Sequence, residues 1–444
     1  MVGWRGPELA VRLGLTAGGL AVVALWWVET SAVSLHGAGQ VLTAAGRVSG
    51  LLAAYLVLVE VLLLARVPAI ERAVGLDRLA AWHRGLGTNV VLLIGVHVLL
   101  EVWGYGLTDH HQPFGELITV VTSYPDMWKA TIGALLFVLV GITSGRIARS
   151  RLSYELWYGL HLTVYIAVLL TFFHQTSNGA DFVANSTART LWTLMYLAVA
   201  ACVVVWRVAL PAAAVLRHRM RVEQVVREGP GVVSVWIRGR DLDRLGAAPG
   251  QFLLWRFASR GQLFSAHAYS LSAPPTPDRL RITVKAAGDH SRAIERLRPG
   301  TPALAEGPFG LFTARRTTRG GGVLLIGGGS GIAPVRALAE DLARRGRDVV
   351  VVQRARQVED LVLHGELCAL AEAGLLTVHS VTGSRDRLGF DPLAAPYLAA
   401  AVPDIADRDV FLCGPPGMTR AVVQTLRQLG VADQQIHTEE FALR

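Results

Sequence analysis

Six stretches of the chain are long, nearly charge-free and apolar: residues 12–34, 41–65, 86–107, 128–145, 156–175 and 190–210. Each approaches the roughly 20 residues that cross a hydrocarbon core of about 30 Å. After Arg221 the pattern shortens. Val232–Arg238, Phe252–Phe257 and Leu280–Lys285, separated by Gly and Pro turns, predict strands of a small antiparallel barrel. From Gly322 onward short apolar runs alternate with helical periods: Val323–Ile326, Pro334–Arg345, Val349–Val352, Val410–Leu412 and Met418–Leu429. That alternation predicts a parallel α/β unit. The Arg/Gly-rich piece Arg315–Gly322 reads as a hinge. The expected organisation is an α-helical membrane bundle of six spans over 1–218, an antiparallel β-barrel over 219–316 and a Rossmann-like α/β nucleotide domain over 317–444. No internal repeat or low-complexity tract interrupts it.

Charge sharpens this division. Residues 1–218 carry 25 of the 77 charged side chains, and the remaining 52 lie beyond. With 52% hydrophobic residues and a mean hydropathy of +0.40, the chain is neither disordered nor collagen-like, and a wholly soluble enzyme is disfavoured. The net charge of +9 is almost all arginine, because Lys129 and Lys285 are the only lysines. It is spread over both halves rather than gathered in a stripe, which argues against a nucleic-acid partner. Its pattern is topological. Arg66, Arg72, Arg78 and Arg84 lie between spans two and three, Arg146, Arg149 and Arg151 between four and five, and Arg207, Arg217, Arg219 and Arg221 after six. The loop 108–127 has no Lys or Arg. The positive-inside rule then puts both termini in the cytoplasm. The first span also admits a reading as a cleaved signal, with Arg5 and Arg12 as a basic start and Ala32 near the cut, which would leave the other spans unchanged. Three scattered cysteines, Cys202, Cys368 and Cys413, exclude a disulfide framework and an appended four-thiolate iron–sulfur domain.

Ionisable groups at membrane depth are rare and functional by default. His83 and His97 bracket span three, and His161 and His174 bracket span five. At 1.5 Å per residue the members of each pair stand about 21 and about 20 Å apart along their helices, so His83 comes level with His161 and His97 with His174. Two stacked sites follow, each offering one imidazole from each of two helices. Such opposed imidazoles suit the axial positions of a haem in a helical bundle. At 100° per residue fourteen steps return to within about 40° of the starting face, but thirteen end about 140° away, so helix five must twist, tilt or use two flanks. His110 and His111 sit in the outer loop and are read as solvated.

In the second half, Val323-Leu-Leu-Ile-Gly327-Gly328-Gly329-Ser330-Gly331-Ile-Ala-Pro334 reads as strand, glycine turn and helix start. Glycines let the backbone approach a pyrophosphate, and the helix N-terminus offers free amides. The next strand ends in Gln353-Arg354-Ala355-Arg356, where a NAD-selective site often carries an acidic residue. Arg354 and Arg356 suit a 2′-phosphate and favour NADPH, with NADH possible.

Several blocks then occur in a telling order: His267-Ala-Tyr269-Ser270-Leu-Ser272, Lys285-Ala-Ala-Gly288-Asp289-His290-Ser291, Glu306-Gly-Pro-Phe-Gly310, the glycine turn, Cys413-Gly414-Pro415-Pro-Gly417-Met418, and Glu439-Glu440-Phe441. In order and spacing they resemble the ferredoxin-NADP reductase superfamily. With six spans and paired histidines in front, the whole chain resembles the ferric reductase and NADPH oxidase family of bacterial type. The resemblance implies an FAD-binding barrel lined by His267, Tyr269 and Ser270, with Gly288–Ser291 at the flavin pyrophosphate. It also implies Phe441 as a flat lid on the isoalloxazine and Cys413 near the nicotinamide. His267 matches the oxidase branch, where the wider superfamily more often has Arg. Phe441 is followed by three residues, whereas many oxidase members end at the aromatic.

The function expected is that of a flavocytochrome b of the bacterial cytoplasmic membrane. Electrons from cytoplasmic NADPH would pass through FAD and two bis-histidine haems b to a small-molecule acceptor outside. Arg84, beside His83, is a candidate partner for haem propionates. Glu101, one turn beyond His97, reads either as a solvated residue at the helix end or as a carboxylate that disfavours an anionic product and points to ferric chelates, while Arg47 at the same end suits either superoxide or an anionic iron chelate. Two rivals remain. One is a histidine-relay transporter with a regulatory nucleotide domain, and the other is a cytochrome subunit serving a separate protein.

Overall fold

The structure, a computed structural model, describes residues 6–31, 35–259, 262–263, 265–318, 321–384 and 388–439. The chain forms two compact units that divide between Ala209 and Leu210.

Six helices of the first part are long and apolar enough to cross a membrane: Gly6–Thr30, Ala38–Leu63, Leu76–Thr108, Met127–Ser144, Tyr154–Asn178 and Ser186–His218. Their outward side chains are apolar. Leu20, Leu92, Leu135, Ile142 and Leu191 are each more than half exposed, which hydrocarbon tolerates and water does not. Spans two and three pack antiparallel through glycines. A Cβ at Gly39 would lie 2.8 Å from the Gly104 carbonyl, one at Gly46 2.8 Å from the Glu101 carboxylate, and one at Gly50 2.6 Å from the His97 ring. Small residues seven and four apart lie on one face of the helix and let membrane helices approach this closely where no hydrophobic effect drives them together. Span one joins the bundle on span two, with the Tyr55 hydroxyl donating to the Leu15 carbonyl at 2.7 Å and the Trp26 indole to that of Ala44 at 2.8 Å.

Span five is two helices, Tyr154–Leu162 and Val164–Asn178, interrupted at Thr163. The Thr163 amide bonds the Leu160 carbonyl at 3.1 Å, an i to i−3 bond that tightens the turn. A tighter turn rotates the chain by about 120° per residue instead of 100°. The break therefore supplies rotation in the sense that thirteen regular steps lack. Ser153 caps the first piece by accepting from the Leu156 amide at 3.3 Å. A connecting helix, Pro113–Ser123, lies where the apolar pattern indicated only a loop, and Pro at its first turn needs no amide partner. His110 and His111 are both exposed, as expected, and His111 also pairs through Nδ1 with the buried Glu116 at 2.9 Å.

The second unit has eleven described strands. Six of them, β1 Arg221–Gly229, β2 Val232–Arg238, β3 Phe252–Phe257, β4 His267–Ser270, β5 Arg279–Lys285 and β6 Ala303–Phe309, form two three-stranded antiparallel sheets, β1-β2-β5 and β4-β3-β6. Both face a core of Val235, Ile237, Leu253, Trp255, Leu280 and Ile282. Single bridges, Leu271 with Ile282 and Arg221 with Pro302, connect the sheets at two corners. Among the described residues the ladder is therefore not a closed barrel, because strand pairing is lost at those corners.

β7 Val323–Gly328, β8 Val349–Arg354, β9 Thr377–Val381, β10 Asp409–Cys413 and β11 Ile436–Glu439 form a parallel sheet ordered β11-β10-β7-β8-β9. Its central strands are apolar on both faces, and the two-residue period sorts them into two cores. Val323, Leu325, Val349 and Val351 pack on one side, and Leu324, Ile326, Val350 and Val352 on the other. Helices Ile332–Arg344 and Pro416–Gln428 follow β7 and β10. The strand order reverses between β7 and β10, which opens a crevice at their carboxyl ends.

Candidate cofactor sites

The four membrane histidines meet in the two pairs expected. The rings of His83 and His161 lie 5.9 Å apart at 76°, and those of His97 and His174 lie 6.4 Å apart at 38°. With N–metal bonds of about 2.0 Å, two imidazoles on opposite sides of one metal put their ring centres about 6 Å apart. Both pairs have that spacing. A bare ion would need more donors, and among the described residues no three His, Cys, Asp or Glu side chains converge. The donor sets thus fit a planar group ligated axially.

Each pair has its own second layer. His161 stacks on Trp157 at 5.1 Å, and Ser144 Oγ stands 3.3 Å from both His161 Nδ1 and the Trp157 indole nitrogen. The Arg149 guanidinium covers Trp157 at 4.5 Å. His83 Nδ1 contacts the carboxylate of Glu60, a buried residue of span two that the sequence reading passed over. His97 Nδ1 instead meets the Gly46 carbonyl at 2.9 Å, with Glu101 Oε1 3.8 Å away. Arg47, at the same end, donates to Thr30 Oγ1 at 2.7 Å. Arg84 is exposed next to His83.

The glycine turn and the Cys413 block, 82 residues apart in sequence, meet at the β7/β10 crevice, where Gly327 and Cys413 are paired in register. A Cβ at Gly331 would lie 2.1 Å from the Cys413 carbonyl, so only glycine fits. Gly329 takes φ +57°, and Gly329 and Ser330 are exposed at the start of helix Ile332–Arg344, whose third residue is Pro334. Met418 packs against Gly328 and Gly414, while Pro415 precedes the helix Pro416–Gln428. Cys413 is fully buried, and burial together with the Glu439 carboxylate pushes its thiol well up. Of the two arginines after β8, Arg354 is committed to backbone: it donates to the carbonyls of Ala355, Val381 and Gly383. Arg356 is exposed.

β4 and the turn into helix Asp289–Ile294 bring the two flavin-type blocks together. The His267 and His290 rings lie 4.5 Å apart. Burial pushes the Tyr269 hydroxyl up to about 12, and Ser270 Oγ is buried without a hydrogen-bond partner among the described residues. That orphan group is the observation that fits a bound polar cofactor here. Ser291 is occupied locally: its hydroxyl accepts from the Ala287 and Gly288 amides at 2.8 and 2.9 Å. Lys285 ends β5, half exposed and 4.0 Å from Asp360. Phe441 lies outside the described residues.

A connection within this unit had no local signal. Arg281 of β5 donates to Glu366 at 2.6 and 3.0 Å, and Arg336 of the helix after β7 reaches the same carboxylate at 2.7 Å. Burial pushes the Glu366 carboxyl up, but hydrogen bonds and charge from Arg281 and Arg336 outweigh it and hold it below its ordinary value. The clasp ties the antiparallel sheets to the parallel one.

Comparison with known proteins finds one family match in each of the two units. Residues 49–172 match the family described as ferric reductase like transmembrane component, and residues 325–424 match the oxidoreductase NAD-binding domain. The chain joins a ferric-reductase-like membrane component to a reductase-type nucleotide domain. The membrane match includes His83, His97 and His161 and stops two residues before His174. The ferredoxin reductase component of 3-ketosteroid-9-alpha-monooxygenase from Mycolicibacterium smegmatis is 33% identical over 45% of this chain and 57% of that protein. A flavohemoprotein from Chromobacterium violaceum is 33% identical over 50% of this chain and 59% of its own. The chain thus spans little more than half the length of these relatives. A solved ferredoxin reductase of carbazole 1,9a-dioxygenase is 25% identical, covering 50% of this chain and 68% of that one with a TM-score of 0.43.

Proposed function

We propose that the protein is a transmembrane NADPH-dependent flavocytochrome b that delivers electrons to an acceptor on the outer face of the bacterial cytoplasmic membrane, with both termini inside. The observation that carries this reading is the twofold recurrence of an imidazole pair about 6 Å apart, 5.9 and 6.4 Å, on a chain that also holds a reductase-type nucleotide domain. Bound NADPH, FAD and two haems b would supply hydride donation, its division into single electrons, and conduction along the bundle. His83 and His161 would hold one haem, and His97 and His174 the other. The turn Gly327–Gly331 would admit the dinucleotide pyrophosphate, and exposed Arg356 would meet the 2′-phosphate. His267, Tyr269, Ser270 and the Gly288–Ser291 turn would hold the flavin. Phe441 would exclude water from its face, and Cys413 would pack as an unionised thiol beside the nicotinamide pocket.

The preferred acceptor is a ferric chelate. Glu101, 3.8 Å from His97, supports this reading, because a carboxylate beside that histidine pair would disfavour an anionic product. Arg47 at that end supports a second reading, reduction of oxygen to superoxide. The test is NADPH oxidation by the purified protein in air, with and without ferric citrate and with superoxide dismutase present. The ferric reading expects strong stimulation by ferric citrate. Full activity on oxygen alone, with stoichiometric superoxide, contradicts it.

A further inference from the structure

The two histidine pairs differ in what stands behind the ligating rings, and that difference bears on the direction of electron flow. In a neutral imidazole one nitrogen carries the proton and the other is free to ligate, and the hydrogen bond made by the first decides which is which. Both His83 and His97 are addressed at Nδ1 by span two, which leaves Nε2 as the nitrogen available to ligate. The groups addressing them are unlike. His97 donates to the Gly46 carbonyl at 2.9 Å, a neutral acceptor, and the nearest carboxylate on its own helix, Glu101, stands off at 3.8 Å, beyond hydrogen-bond reach. His83 contacts the Glu60 carboxylate, which is buried inside the bundle. Opposite them, His161 faces the Ser144 hydroxyl at 3.3 Å and the stacked Trp157, and His174 Nδ1 is buried with no side-chain hydrogen-bond partner among the described residues. A carboxylate behind a ligating histidine raises the basicity of the ring and holds its orientation, and outer-layer partners of this kind tune a metal's potential. More electron density at the metal stabilises its oxidised form.

We propose that Glu60 is a positioning residue that sets the two sites apart in redox potential. By holding the Nδ1 proton of His83, it lowers the potential of the His83–His161 site below that of the His97–His174 site. The bundle is thereby polarised so that electrons run from the first site to the second. This inference rests on the reading that the two pairs hold haem.

The experiment is a spectroelectrochemical titration of the full-length protein with haem counted per chain. Wild-type protein should show two midpoints. His174→Ala, which keeps only the first site, should retain the lower one, and His161→Ala, which keeps only the second, the higher one. Glu60→Gln preserves an acceptor oxygen but removes the charge. It should shift the lower midpoint upward by about tenfold in the reduced-to-oxidised ratio, or about 59 mV for one electron, and leave the upper midpoint in place. A purely structural role for Glu60 would not move a midpoint. The inference is overturned if the single-site variants rank the other way, or if Glu60→Gln keeps two haems with both midpoints unmoved. If Glu60→Gln loses haem, Glu60→Asp, which keeps the charge, should retain two haems with the lower midpoint still below the upper; a haem-loaded Glu60→Asp in which the two midpoints merge, or one that also loses haem, overturns the inference. Two haems with the wrong order of potentials sink this inference and leave the haem reading standing, whereas a colourless wild-type protein sinks both.

Discussion

In the membrane unit the groups to which we assign chemistry are a few polar side chains in an apolar bundle, whereas in the second unit they are backbone placed by glycines. His83, His97, His161 and His174 stand among helices whose outer faces are leucine and isoleucine, and each pair is defined by side-chain rings. At the β7/β10 crevice the side chains are small or absent, and Gly331 against the Cys413 carbonyl sets the shape. Hydrocarbon excludes polar groups, so any that remain must be paired or functional. A nucleotide needs close approach of amides, so side chains there obstruct. One unit should therefore be disabled by removing side chains and the other by adding them.

The largest effect should come from His97→Ala or His174→Ala. Either should abolish one of two haems while NADPH still reduces the flavin, as measured by absorbance under anaerobic mixing. Loss of flavin reduction in a folded variant would erase the contrast between the units. Next is Gly331→Val, which adds bulk 2.1 Å from the Cys413 carbonyl. It should lower kcat/KM for NADPH by about 10²-fold, the scale expected when a reacting group is displaced by an ångström, and leave haem content unchanged. A near-normal kcat/KM would show that the crevice is not the nucleotide site. Arg356→Ala should raise KM for NADPH about tenfold and barely alter that for NADH, since a charge-assisted contact to one phosphate is lost. Arg354→Ala should affect both nucleotides alike, because that side chain holds the carbonyls of Val381 and Gly383.

The smallest effect concerns stability. Glu366→Ala leaves the buried Arg281 without its carboxylate, at a cost of about 2 kcal/mol once the partial exposure of Glu366 is allowed for. Its carboxyl is held below its ordinary value, so the stability it contributes is complete above the unfolded value near 4.5 and is lost as pH falls through the lower folded one. Denaturant titrations should show the wild-type and Glu366→Ala curves converging in acid. A constant gap from neutral pH down through the acid range would remove the clasp from the account.

Much of this was legible from local pattern. Six apolar runs and four histidines at matched depth foretold the bundle and its pairs, because hydrophobic length and depth are one-dimensional properties of a helix. The β7 turn was legible because its glycines are consecutive. Three features were hidden for different reasons. The break at Thr163 depends on one i to i−3 bond and has no compositional mark. The Arg281–Glu366 clasp joins residues 85 apart. Arg354 and Arg356 look equivalent in sequence, and only folding shows that one is committed to backbone. Glu60 did carry a signal, as a carboxylate inside an apolar run, and reading only histidines at depth missed it. The corners of the antiparallel sheets were unreadable because alternation defines strands but not where pairing lapses.

The central claim is that His83 with His161, and His97 with His174, each hold one haem. Haem measured per polypeptide in the purified full-length protein, with a reduced-minus-oxidised spectrum, tests it most directly. The account predicts two haems b per chain, falling to one in His174→Ala and to one in His161→Ala, each with a six-coordinate low-spin spectrum in the remaining site. A colourless protein, or one whose haem content is unchanged by either substitution, would contradict it.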